Sequence, residues 1–268
     1  MREISSGPFR FVTLSLLVFA LAAGLCAEEP RSKVRLTQVA TIDSLLSGCY
    51  DGWITLEEFL SYGDFGLGTV DRIDGELTIL DGVPYQSLSD GTTVIAAGSQ
   101  RLPFASVVPF APTGVVVMNI DSPAAEEEIT ERIDALFPNR NRPLAIRIEG
   151  DFTDLRTRSE VGQDKPYRPL AETMKDAERR FELGALSGTV VGFRTPSFMK
   201  GLNIPGYHYH FIDSSKQIGG HLLQFSVTSG KGIILPIDEF LLILPELPCE
   251  LDLERDRSEE LNAVEKSR

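Results

Sequence analysis

Histidine is scarce in this chain. The three that exist, His208, His210 and His221, fall in one short stretch, so nowhere else is an imidazole available for proton or metal chemistry. Cysteine is just as sparse: Cys26, Cys49 and Cys249 are the full set, and none sits beside the histidines to close a four-ligand site. Basic residues are also in the minority. Lys and Arg number 26 against 39 Asp and Glu, a net charge of -13, which makes the chain a poor candidate for binding a nucleic-acid backbone. Finally, no long apolar run is present. The uncharged apolar stretch at 11–25 is shorter than the roughly 20 residues that span a bilayer, which argues against a retained membrane anchor.

What the sequence does contain is material for a core. With 268 residues, 42% hydrophobic and 24% charged, it reads as a globular protein of one or two domains rather than a disordered one. The first 27 residues stand apart. Arg2 and Arg10 precede the apolar stretch, and Cys26-Ala27-Glu28-Glu29-Pro30 follows it, the pattern of an export signal cleaved near Ala27. Leu25 is too large for the position before a lipidated cysteine, so lipid anchoring at Cys26 is disfavoured and a periplasmic or secreted protein is expected. Removing residues 1–27 takes away two arginines and one glutamate and moves the net charge from -13 to -14. Cys49 and Cys249 would then remain, and export allows either a disulfide or two free thiols.

Along residues 28–268, one folded region with two strand-rich halves is expected, at about 36–120 and 145–245, followed by a charged tail at 248–268. Residues 28–35 read as a loose lead-in. Thr55 is placed to cap a helix over 56–62, with Glu58 in its first turn and Gly63 as its stop. Strand-like periods follow at 67–72, 76–80, 83–87 and 92–96. The pairs Asp74-Gly75, Asp81-Gly82 and Asp90-Gly91 separate them, which predicts a β-meander. Beyond Pro103, Pro109 and Pro112, the valines of 114–120 predict a buried strand. Ser122-Pro123 then opens a helix that carries Ile129, Ile133, Leu136 and Phe137 on one stripe. Further strands are expected at 145–157, with Gly150 a bulge, and at 188–195, 206–212, 221–229 and 232–235. A helix is expected at 170–183. The tail looks mobile or surface-lying. The class is mixed α+β with mixed sheets and flanking helices.

In a strand, His208 and His210 project from the same face with Cα atoms roughly 6.5–7 Å apart, close enough for their rings to meet on one ion. Residues 213–220 are rich in turn formers, so the chain can reverse and bring His221 beside them. Three imidazoles without a fourth protein ligand match a catalytic zinc site, which keeps one position open. Two histidines at this spacing are a common accident on strands. The third histidine, the preceding Gly219-Gly220 and the lack of any others elsewhere favour the metal.

The stretch Gly206-Tyr207-His208-Tyr209-His210-Phe211-Ile212-Asp213, then Gly219-Gly220-His221, resembles the zinc-binding hairpin of the α-acetolactate decarboxylase family. Gly63-Asp64-Phe65-Gly66-Leu67-Gly68-Thr69, Asp74-Gly75-Glu76-Leu77, Leu80-Asp81-Gly82 and Tyr85-Gln86 agree in order. So do Ile146-Arg147-Ile148-Glu149-Gly150, Thr157-Arg158, Lys165-Pro166-Tyr167 and Gly192-Phe193-Arg194-Thr195-Pro196, so that the likeness covers about 40–245.

The resemblance implies conversion of 2-acetolactate to acetoin and carbon dioxide at Zn2+, in a homodimer with no stable membrane span after signal cleavage. It assigns His208, His210 and His221 to the metal and places Glu76 beside it as proton carrier or ligand. It also gives Arg158 a place for the substrate's anionic oxygens, Thr69 a place in the pocket, and a tail glutamate, for which Glu265 is chosen, a contact with the metal. Zinc, as a Lewis acid, would hold the enediolate that forms when carbon dioxide leaves. Either Glu76 or Arg158 can supply the proton that completes acetoin, and the sequence does not choose between them. Two other readings use the same residues: an exported zinc hydrolase, and a non-catalytic metal- or ligand-binding protein of the same fold.

Overall fold

The computed structural model describes residues 33–110, 113–246, 252 and 255–265, within a compact unit spanning Ser32–Arg268. The expected signal at 1–27, Cys249 and Glu254 lie outside the described residues. Among the described residues no helix is long and apolar enough to cross a membrane.

The chain begins with strand β1 (Arg35–Val39), helix α1 (Ile42–Leu46), β2 (Ile54–Thr55) and α2 (Leu56–Phe59). A run of strands follows: β3 (Phe65–Thr69), β4 (Glu76–Leu80), β5 (Val83–Ser87), β6 (Thr93–Ile95), β7 (Arg101–Leu102), β8 (Phe104–Val108), β9 (Val116–Ile120) and β10 (Ala124–Ala125). Next come α3 (Glu126–Leu136), β11 (Leu144–Glu160), α4 (Leu170–Ala177) and β12 (Glu178–Thr195). β13 (Gly206–Asp213), β14 (Gly219–Pro236), β15 (Glu239–Ile243) and α5 (Ser258–Glu265) complete the order.

The fold is mixed α+β. A seven-stranded sheet runs β15-β1-β8-β3-β4-β5-β6, and its β1–β15 pair is parallel. The meander expected from the Asp-Gly pairs forms here. Asp81 and Gly82 both take positive φ, 53° and 76°, as a two-residue hairpin turn between β4 and β5 requires. A six-stranded sheet runs β10-β14-β11-β12-β13, with β9 against β14 and a further pairing of β13 with β14.

The two sheets bury a shared cluster, with Leu36, Phe65, Leu67 and Val108 from the first and Val191, Phe193, Ile212 and Leu235 from the second. Alternation along β4 decides what lies where. Leu77 and Ile79 pack with Leu56 and Phe59 of α2, which leaves Glu76 and Thr78 to project toward the second sheet. α3 lays Ile129 and Ile133 on the second sheet, against a core that contains Ile146, Ile148 and Phe152.

Several expectations change. The helix begun at Leu170 ends at Ala177, and Glu178 starts a strand that pairs with β11 down to Arg194, so cross-strand pairing overrides local helix propensity. The strands expected at 221–229 and 232–235 are one, Gly219–Pro236. Gly150 is not a bulge. It pairs in register with Gly188 and Gly230, and a Cβ there would lie 2.2 Å from the Ser229 carbonyl oxygen. The register shifts fall later, between Asp151 and Thr157, around Asp154 with its φ of 53°. β8 arises where a proline-rich passage suggested irregular chain, while β1 begins at Arg35, the last residue of the expected lead-in. The tail is not simply surface-lying: Val264 of α5 is buried among Ile42, Leu46, Tyr50, Phe104 and Ile204.

Candidate metal centre

The hairpin β13–β14 turns on Asp213. Its carboxylate accepts from the backbone N–H groups of Ser215 (2.9 Å), Gln217 (2.8 Å) and Ile218 (2.8 Å). Burial works against that charge, but the Ser215 hydroxyl and these N–H donors hold its pKa below the usual value. The turn sets a register in which His210 stands directly opposite His221. On its other side His221 faces Arg158 of β11, which in turn faces Arg180 of β12. One row across four neighbouring strands therefore reads His210, His221, Arg158, Arg180. Gly220 makes the row possible. It sits at φ 138°, and a Cβ there would approach the Arg158 carbonyl oxygen to 2.5 Å.

His208, two residues before His210 on the same face, completes a buried cluster whose candidate ligand atoms lie within 4.8 Å of one another. His208 Nε2 is 3.1 Å from His221 Nδ1, and His210 Nε2 is 3.4 Å from Glu76 Oε2. Ligand atoms around a tetrahedral zinc stand about 3.3–3.5 Å apart; these two contacts are near that spacing, while the three histidines together span up to 4.8 Å. Burial lowers all three histidine pKa values, with the nearby Arg158 cation adding to the effect, and His208 falls to about 3. All three are neutral, the form that binds metal. His210 Nε2 is buried with no hydrogen-bond partner, while Nδ1 lies 3.4 Å from the Thr78 hydroxyl. A lone pair left unsatisfied in this way fits a residue built to hold a cation.

Carboxylates ring the other side. Glu76 lies 4.0 Å from His221 Nδ1 through Oε1. Burial and then the neighbouring Glu160 charge raise its pKa well above the ordinary range. Glu265, carried in by α5, is 3.6 Å from His221 Nε2 and 3.4 Å from Arg158 Nη2, and burial raises its pKa as well. Arg158 is 2% exposed. Burial alone would weaken its cation, but Glu265, Glu160, Glu76 and Glu178 together reverse this and raise its pKa. One of its nitrogens also donates to the Val264 carbonyl oxygen. Thr69 pairs across the β3–β4 ladder with Glu76, and its hydroxyl donates to the Gly75 carbonyl oxygen at 2.7 Å.

His208, His210, His221, Glu76, Arg158, Thr69 and Glu265 thus lie in one region of the fold. Glu160 and Glu178 join them unanticipated by the sequence reading. The one signal for Glu160 is its place two residues after Arg158, on the same strand face. A cavity of about 50 Å³ opens here, its polar lining including Thr69, Glu76 and Arg158 and its apolar lining Leu45, Phe104 and Met174. A larger one of about 500 Å³ shares His208, His221 and Glu265 with it and extends past Tyr207 and Leu261. The arrangement offers a cation site of neutral nitrogens, a fixed guanidinium and buried acids beside a partly apolar chamber.

The alpha-acetolactate decarboxylase family matches residues 36–249. The chain is 37% identical over 236 residues to the alpha-acetolactate decarboxylase of Methanosarcina mazei, covering 86% of this chain and 80% of that one. With the Bacillus subtilis strain 168 protein of the same name it shares 40% identity over 198 residues, 74% of this chain and 76% of that one. The crystal structure of alpha-acetolactate decarboxylase from Bacillus subtilis strain 168 superposes with a TM-score of 0.82 at 35% identity, covering 87% of this chain and 100% of that chain. Matched along most of its length in sequence and in structure, the chain belongs to the alpha-acetolactate decarboxylase family, a family of carbon–carbon lyases.

Proposed function

We propose that this chain converts 2-acetolactate to acetoin and carbon dioxide, with Zn2+ held by His208, His210 and His221. The observation that carries the reading is the row of two neutral metal-facing histidines and a buried arginine across adjacent strands, in a chain of this family. Bound there, zinc supplies a Lewis acid for the charge left on the substrate's oxygens as carbon dioxide departs. Three neutral imidazoles leave the ion's positive charge undiminished.

Arg158 presents a guanidinium to the same oxygens, and its charge is most useful as theirs develops. Its proton is held tightly by the surrounding carboxylates, Glu265 foremost, which makes it a poor donor. Glu76 is the better proton carrier. Burial and the adjacent Glu160 favour its neutral acid form, and it lies beside His210 and His221. Its proton goes to the carbon that has lost carbon dioxide, the electron pair of the broken carbon–carbon bond forms the new C–H bond, and water reprotonates the carboxylate. Glu265 closes the site from the tail, and Thr69 lines it.

In keeping with the first 27 residues, the mature protein begins near Glu28 and works outside the cytoplasm. We take it to act as a homodimer, on the family resemblance. Zinc-loaded mature protein given 2-acetolactate should release acetoin and carbon dioxide in equal amounts and leave ester and peptide substrates intact. A folded, zinc-loaded sample that yields no acetoin would overturn the substrate assignment, and ester hydrolysis in its place would favour a zinc hydrolase.

A further inference from the structure

Four charged residues form a square where β11 and β12 meet. Arg158 and Glu160 lie two apart on one strand, and Arg180 and Glu178 lie opposite them, Arg facing Arg and Glu facing Glu. Directly opposed like charges destabilise a sheet, so this square needs its diagonals. The structure supplies one: Glu178 Oε2 stands 3.6 Å from Arg158 Nη1. Glu178 uses its other oxygen, Oε1, to pair with Arg180 Nε. Its side chain is 12% exposed, whereas that of Arg180 is 40% exposed. An ion-pair chain therefore runs inward from Arg180 at the surface, through Glu178, to Arg158 at the site.

Glu178 lines neither of the two cavities beside the histidines, so it reaches the reaction only through Arg158. The guanidinium needs such an anchor. The partners on its site side, Glu265 and the Val264 carbonyl, come from the short helix α5, and its Nε has no hydrogen-bond partner, with Glu160 Oε1 3.6 Å away. The same Nη1 that donates to Val264 also meets the carboxylate of Glu178, which is fixed by its place at the start of a long strand paired with β11 from Glu178 to Glu182.

We propose that Glu178 is a positioning residue: backed by Arg180, it fixes the guanidinium of Arg158 so that the fork meets the substrate's developing negative oxygens. This rests on the assignment of Arg158 made above. The effect should appear in kcat rather than KM, because a misaimed guanidinium costs most where the charge is greatest.

The test is a double-mutant cycle in the zinc-loaded full mature chain, reading kcat, KM and bound zinc for acetoin formation. E178Q should lower kcat about tenfold with KM and zinc content unchanged, a loss of the size that small misplacements of a catalytic group produce. E178D should recover part of it. In an R158K background, E178Q should cost almost nothing further, since the group it positions is already gone. R180Q, at an exposed position, should give a smaller fall of about two- to threefold, and it serves in place of E178Q should that variant fail to fold. Wild-type kcat in E178Q would overturn the proposal, as would an equal loss from E178Q with Arg158 or Lys at position 158. If E178Q does not fold, wild-type kcat in R180Q overturns it. An inactive wild-type enzyme would instead overturn the decarboxylase assignment on which the cycle depends.

Discussion

His208, His210 and His221 all come from one hairpin, whereas the carboxylates around Arg158 come from β4, β11, β12 and α5. The hairpin needs little beyond its own register. Asp213 builds the turn, and the pairing of His210 with His221 follows from it. Its three imidazoles are neutral, so burying them carries a modest desolvation cost. The ring around Arg158 is the reverse. Glu76, Glu160, Glu178 and Glu265 are held by tertiary packing, and the guanidinium among them offsets their burial, with Arg180 a second partner for Glu178. A locally built histidine cup can therefore outlast damage to the charged ring, while the ring cannot lose Arg158, the cation at its centre, without consequence.

The sharpest way to break the cup is H210A. It removes a candidate ligand at 0% exposure, and both bound zinc and acetoin formation should fall to background, read by metal analysis and product assay on the same sample. R158A should separate the two regions. Zinc should stay bound while turnover falls on the order of a hundredfold, and the unmatched carboxylates should lower stability by about 3–5 kcal/mol in a denaturant titration. E265Q comes next. Its loss should slow turnover several-fold with zinc retained by the three histidines, a direct comparison of one tail contact with the whole hairpin. The smallest effect is expected from V264A, which trims buried apolar surface worth on the order of 1.5 kcal/mol. Protease nicking near α5 should rise while the main unfolding midpoint stays put.

The same contrast governs what can be read from the sequence. The hairpin is legible because its ligands, turn formers and spacing are contiguous, and the β-meander is legible through Asp81-Gly82. Glu178 is hidden. Within Glu178-Arg179-Arg180 nothing departs from a solvated helix end, and only the pairing of β12 with β11 makes it a strand and brings it to Arg158. α5 is hidden for a related reason. Its charge density predicts exposure, yet Val264 finds a buried slot that local sequence does not announce. Gly150 shows a signal read correctly as special but assigned the wrong cause: close backbone approach, not a bulge, demands the glycine.

On the proposed function, decarboxylation depends on an ion held in the three-histidine cup. The most direct measurement is a titration of metal-stripped mature protein with Zn2+, following bound metal and acetoin formation together. Activity should be absent without metal and should rise in proportion to bound zinc until one ion per chain is taken up. Full acetoin formation in the metal-free protein would contradict it.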